Sequence, residues 1–162
     1  SISRSNSKAN DLIFVTGILG LSNIGLLNLN KNDKKYYEAK LKYYLPQPRL
    51  KFSASVRNFV SSMIDISDGF IQDCRHLAQL SNLEFVVNLK NLPISKIVSL
   101  SYEEKLSSAL IGGDDYELLF TGKKGLDSNK NITEIGKMKK GRNINITDFN
   151  DITNLDGYKH KI

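Results

Sequence analysis

The hydrophobic pattern opens with Asp11-Leu-Ile-Phe-Val-Thr16, a short apolar, β-rich run that stops at Gly17 and predicts a buried strand entering a glycine loop. Residues 21–29 then follow helical spacing. A tyrosine- and lysine-rich stretch, 34–45, does the same and halts at Pro46-Gln-Pro48, where ring sterics forbid continuation. A further helix over 50–61 would place Phe52, Val56, Phe59 and Val60 on one face. Residues 63–66 are too few for a helix and too apolar for a surface loop, so they predict a strand. Ser67-Asp-Gly69 supplies turn chemistry able to cap a helix over 70–80. Beyond it the pattern gives a strand at 85–89, a helix at 102–111 closed by Gly112-Gly113, a strand at 116–121, and short strands at 132–137 and 144–147. Helices and strands mingle without strict alternation. The expected fold class is therefore α+β, a mixed sheet with helices packed on it.

At 162 residues and 40% hydrophobic content, the chain suits one domain with one sizeable core. Its net charge of +6 comes from 18 Lys and only 5 Arg, in no run longer than a pair. Arginine, which forks onto phosphates and guanine edges, is too scarce for a nucleic-acid face, so a solvated lysine-rich surface is expected instead. Cys74 is the sole cysteine, which excludes an intramolecular disulfide, a structural zinc site and a CxxC pair. Beside Phe70, Ile71 and Leu77 it reads as a small buried hydrophobe, and a reducing cytoplasm fits. Residues 12–27 carry no charge. They are broken by Gly17, Gly20 and Gly25 and follow Asp11 directly, so neither a signal peptide nor a membrane partner is expected.

In this basic chain, six of the 17 acidic residues fall in two short stretches: Asp65, Asp68 and Asp73, then Asp114, Asp115 and Glu117. Carboxylates crowded across a turn repel one another unless a cation joins them or one takes up a proton. Magnesium accepts one or two such oxygens and fills its other positions with water and phosphate. Ser67, Asp68 and Gly69 also stand before a helix, where free amides attract phosphate. The plain alternative is a helix cap at Asp68 and a surface turn at 112–115. Each acidic stretch lies at a helix-strand junction, so if the strands share a sheet the two should converge at its edge.

At these residues the sequence resembles a family. Met63-Ile-Asp-Ile-Ser-Asp-Gly69 before a helix, and Ile111-Gly-Gly-Asp-Asp-Tyr-Glu-Leu-Leu-Phe-Thr121, are similar to two C-terminal motifs of the thiamine-monophosphate kinases, in the AIR synthase superfamily. Ile2-Ser-Arg-Ser5 with the 11–17 run and Leu19-Gly20, the turn Pro46-Gln-Pro-Arg49 and the ending Gly157-Tyr-Lys-His160 match the family too, in the right order. The resemblance implies an AIR synthase-related C-terminal domain over 1–162, with the N-terminal ATP- and magnesium-binding domain absent from this chain. It implies phosphoryl transfer from ATP, with Mg²⁺, to thiamine monophosphate, giving thiamine diphosphate. Residue by residue, Arg4 would pair with ATP phosphates and Ser67 would touch ATP. Asp65 and Asp68 would hold magnesium, while Asp114, Glu117 and Tyr158 would contact substrate.

Phosphoryl transfer asks for positioning and charge neutralisation, so no catalytic nucleophile or base is assigned. Two departures stand out: Asp114 replaces the family's usual glutamate, and Leu21 stands where the glycine loop commonly carries an acid. Family members run to roughly twice this length and form homodimers, so this chain by itself is expected to be inactive. The alternatives are another superfamily enzyme (AIR synthase, selenophosphate synthetase or hydrogenase maturation) and a non-catalytic remnant that binds a nucleotide or a partner.

Overall fold

The computed structural model describes residues 2–125 and 131–147. Strand β1, Leu12–Thr16, lies inside a six-stranded sheet, antiparallel to β4 (Glu117–Gly122) on one side and β5 (Ile132–Lys139) on the other. Outside them lie β2 (Val60–Ile66) against β4, and β3 (Glu84–Asn88) against β5. Strand β6, Asn143–Thr147, closes the far edge parallel to β3, giving the order β2-β4-β1-β5-β3-β6. The run at 12–15 is apolar throughout because both faces of β1 are covered. Ile13 and Val15 face one core and Phe14 faces another.

The larger core packs against helices α4 (Phe70–Ser81) and α5 (Tyr102–Ile111). Phe70, Cys74, Leu77 and Ala78 supply the buried face of α4, and Leu106, Ala109 and Leu110 that of α5. Ser101 and Glu104 form a capping box that starts α5. On the opposite face Phe14, Met63, Leu118 and Phe120 meet Val56 and Phe52 of α3 (Leu50–Val56). Phe14 and Phe120 stack at 5.3 Å between ring centroids. Helix α1, Leu21–Leu27, and helix α2, Tyr37–Tyr44, pack on each other through Ile24 and Ala39, joined by Tyr36 from the turn before α2, in a third cluster. The uncharged stretch at 12–27 is thus one strand and one short helix. No helix among the described residues is long and apolar enough to cross a membrane.

The helix expected over 50–61 ends at Val56. Residues 60–62 are taken by pairing with β4, from Val60 opposite Gly122 to Ile66 opposite Glu117, and Phe59 is left 65% exposed between the two elements. Sheet pairing overrides local helical spacing there. Strand β4 starts at Glu117, one residue late, because Tyr116 has left-handed backbone (φ 51°).

Candidate functional site

Both acidic stretches sit at the same end of the β2-β4 pair. The amide of Asp114 donates to the carbonyl of Ser67 at 3.0 Å, and that of Tyr116 to Ile66 at 3.0 Å, so the turns are bonded directly to one another. Gly113 permits this closeness, since a Cβ there would stand 2.6 Å from the Ser67 oxygen. Asp114 and Tyr116 both hold left-handed backbone (φ 61° and 51°), an arrangement that costs non-glycine residues on the order of 1 kcal/mol each. The expected convergence of the two stretches holds at the level of the backbone.

The first turn is not capped as the sequence suggested. Gly69 occupies the cap position of α4 without a side-chain bond. Asp73, in the first helical turn, reaches back instead, and its Oδ2 accepts from the amides of Ser67 at 3.1 Å and Asp68 at 3.2 Å. Burial raises the pKa of Asp73, although those two amides favour its charged form. Asp68 itself is exposed. Its carboxylate, that of Asp73 and the His76 ring can bring ligand atoms within 4.8 Å of one another.

The second turn sends two buried acids inward. Asp115, fully buried, accepts from the amides of Gly20 at 2.6 Å and Ser22 at 3.2 Å, tying the turn to the start of α1. Burial pushes its carboxyl up to about 6 against those bonds. Glu117, expected among the substrate contacts, is 1% exposed. Thr16 Oγ1 donates to its Oε2 at 2.5 Å and Lys42 Nζ to its Oε1 at 2.6 Å. Arg49 grips both oxygens, Nε to Oε2 and Nη2 to Oε1, each at 2.9 Å. Burial works to raise the pKa of Glu117, but these donors outweigh it and hold the carboxyl below the ordinary range. A substrate could touch this carboxylate only by displacing one of them.

A cavity of about 450 Å³ opens on the α3 face of the sheet. Arg49 and Arg57 flank α3 along one wall, Arg4 comes from the N-terminal segment, and Asp65 and Tyr116 come from the ends of β2 and the second turn. Met63 and Leu118 give it an apolar lining. Arg4 Nη2 and Asp65 Oδ1 lie 3.8 Å apart, a long, exposed pair of the kind worth little, so neither is locked away from a ligand.

The structure therefore gathers Arg4 and Asp65 in the cavity and Ser67, Asp68 and Asp114 in the joined turns. Glu117 is set behind them, and Tyr158 lies outside the described residues. Sequence reading missed Thr16, Lys42, Arg49, Arg57 and the inward roles of Asp73 and Asp115. No local signal links Lys42 and Arg49 to a carboxylate 75 and 68 residues away.

No protein-family model matches the chain. It is 38% identical over 160 residues to the thiamine-monophosphate kinase of Buchnera aphidicola subsp. Schizaphis graminum, covering 94% of this chain and 48% of that protein. Among solved structures, thiamine-monophosphate kinase from Stenotrophomonas maltophilia K279a superposes with a TM-score of 0.83 at 27% identity, over 90% of this chain and 52% of that one. The structure of AaThiL complexed with AMPPCP and TMP superposes at 0.80 and 28% identity, over 99% and 52% of the two chains. Escherichia coli HypE, a hydrogenase maturation protein, shares the fold at 0.63 with 16% identity, over 99% of this chain and 52% of its own. The chain spans about half the length of the curated relatives it matches. In sequence and in fold, the chain belongs to the thiamine-monophosphate kinase family and corresponds to about half of one of its members.

Proposed function

We propose that the chain is the C-terminal half of a thiamine-monophosphate kinase, an ATP-dependent phosphotransferase that makes thiamine diphosphate from thiamine monophosphate. The observation that carries this reading is the superposition of 99% of the chain on AaThiL complexed with AMPPCP and TMP. The bonded turns at 66–69 and 112–116, which carry the carboxylates of Asp68 and Asp114 and the Ser67 hydroxyl, support it, as does the adjoining cavity lined by Arg4, Arg49, Arg57 and Asp65.

In this reading Arg4 pairs with ATP phosphates, Ser67 touches ATP, and Asp114 contacts the substrate, with Tyr158 packing on its thiamine end. The residues present fit magnesium: the exposed Asp68 and the half-buried Asp65, whose side chain is partly open to solvent, offer carboxylate oxygens, which suit a hard cation that takes one or two of them from the protein. When bound, the ion neutralises phosphate charge and orients it for in-line transfer. Asp73 holds the Ser67-Asp68 turn in shape from behind. The remaining nucleotide contacts, a homodimer interface and a cytoplasmic setting belong to the whole protein.

The test joins this chain to the N-terminal half of the Buchnera relative and assays thiamine diphosphate formation from ATP and thiamine monophosphate with Mg²⁺. The chimera should turn over, the 162-residue chain alone should not, and Asp68→Asn in the chimera should cut activity at least about a hundredfold with little change in melting temperature. A folded chimera without activity sinks the proposal. Steady turnover by the isolated chain sinks its half-enzyme part.

A further inference from the structure

Of the cations lining the cavity, Arg49 is the one whose direction is fixed from behind. Its Nε and Nη2 make a two-bond fork onto Glu117, and Glu117 is itself pinned by Thr16 and Lys42. A guanidinium carries five N–H donors in a rigid plane. Two are used on Glu117. The other three have no partner among the described residues, and the side chain, 34% exposed, lines the opening. The Glu117 pair also raises the already high pKa of Arg49, so the group stays charged.

Arg57, at the other end of α3, lines the same cavity with no ion pair among the described residues, and Arg4 approaches from the far wall. Counting the groups bonded to them, Arg4, Arg49, Arg57 and Lys42 stand against Asp65 and Glu117, which leaves an excess of two positive charges beside an apolar lining of Met63, Leu118, Leu50 and Ala54. That balance matches a dianionic phosphate group on an organic body.

We infer that Arg49 binds the phosphate of a phosphate monoester in this cavity and that Glu117 is the positioning residue that aims its free donors. The identity of the monoester as thiamine monophosphate rests on the function proposed above. Glu117 touches no ligand; it acts by fixing the plane of Arg49, which Lys42 and Thr16 in turn support.

Calorimetric titration of the 162-residue chain with thiamine monophosphate, unphosphorylated thiamine, AMP-PCP and inorganic phosphate tests this, with folding of each variant followed by thermal melting. Arg49→Gln should weaken thiamine monophosphate about tenfold or more and leave thiamine unchanged. Arg49→Lys keeps the charge without the fork and should fall between. Glu117→Gln should lose affinity as well; if that variant does not fold, Thr16→Val, which removes one support of the carboxylate, should show a smaller loss in the same direction. Wild-type affinity in Arg49→Gln, or an Arg49 dependence seen for AMP-PCP but not for the monoester, overturns the inference. So does failure of every phosphate compound to bind. If inorganic phosphate binds through Arg49 as tightly as thiamine monophosphate does, the anion site stands and the kinase reading of its substrate falls.

Discussion

The Asp114 amide and the Ser67 carbonyl, 3.0 Å apart, join two turns that are remote in sequence and each rich in carboxylates. This bond is made by backbone, so the two turns keep their relative position whatever their side chains hold. Behind each turn stands a buried acid that fixes it, Asp73 for the first and Asp115 for the second. The predictions below separate these supports from the exposed groups they carry.

Thr16 both donates to Glu117 and accepts from the amide of Leu118, within a fully covered strand. Thr16→Val keeps the shape, leaves the buried Leu118 amide without its acceptor and takes one of four donor bonds from Glu117, so urea denaturation should show a loss of about 2 to 4 kcal/mol. Thr16→Ser retains the hydroxyl and should lose less than about 1.5 kcal/mol. Equal losses in the two would mean that packing, not the hydroxyl, matters there.

Asp73 should control the local stability of the first turn. Replacing it with Ala removes the carboxylate that accepts from the Ser67 and Asp68 amides, and their hydrogen exchange should quicken by about ten- to a hundredfold. Exchange in β1 and β4 should change far less. Unaltered rates at Ser67 and Asp68 would show that the turn holds without Asp73.

Asp115 gives a pH dependence of defined sign. Its pKa is higher folded (about 6) than the ordinary 3.8, so it favours the fold below about pH 4 and withdraws that contribution as the pH climbs toward 6. Glu117, lowered on folding, acts the other way: its contribution is present above 4.5 and is lost on acidification below that. Between pH 4.5 and 6 the unfolding free energy should therefore fall by roughly 1.5 kcal/mol from Asp115. Asp73, also raised by burial, adds in the same sense, so the comparison of wild type with Asp115→Asn isolates the one group. The same slope in both proteins would assign the decline elsewhere.

Gly17 has left-handed backbone (φ 60°), and a Cβ on it would lie 2.5 Å from the Glu117 carboxyl, which cannot step aside without releasing its donors. Gly17→Ala should cost about 2 to 4 kcal/mol. Gly125→Ala, at another positive φ but facing open space, should cost only the backbone share, about 1 kcal/mol. Thermal melts of the pair decide whether the contact or the dihedral dominates.

Much of this was legible in the sequence because it depends on local rules. The apolar run at 12–16, the proline stop after residue 45 and the amphipathic face of α4 each appear where expected. The two motif turns were legible for the same reason, glycines and aspartates being concentrated there. Residues 57–62 were misread because their fate depends on β4, far along the chain. The pairing of Lys42 and Arg49 with Glu117 was invisible for a related reason: Glu117 and Arg49 stood out only within their own motifs, and Lys42 looks like an ordinary surface charge. Only the sheet brings them together and takes them out of water.

The strand order has a consequence for how the molecule forms. Among the described residues no two strands consecutive in sequence are neighbours in the sheet, so these strands form no β-hairpin from which assembly could start. Every ladder waits on a long-range closure, and topologies of this kind fold in milliseconds to seconds, far more slowly than local ones. During synthesis, β1 has no sheet partner until residues 117–139 have left the ribosome, because β4 and β5 are its two neighbours. Until then the emerging chain carries an unpaired, largely apolar strand. That interval, more than any weakness of the finished structure, is when the chain is exposed to aggregation and dependent on chaperones.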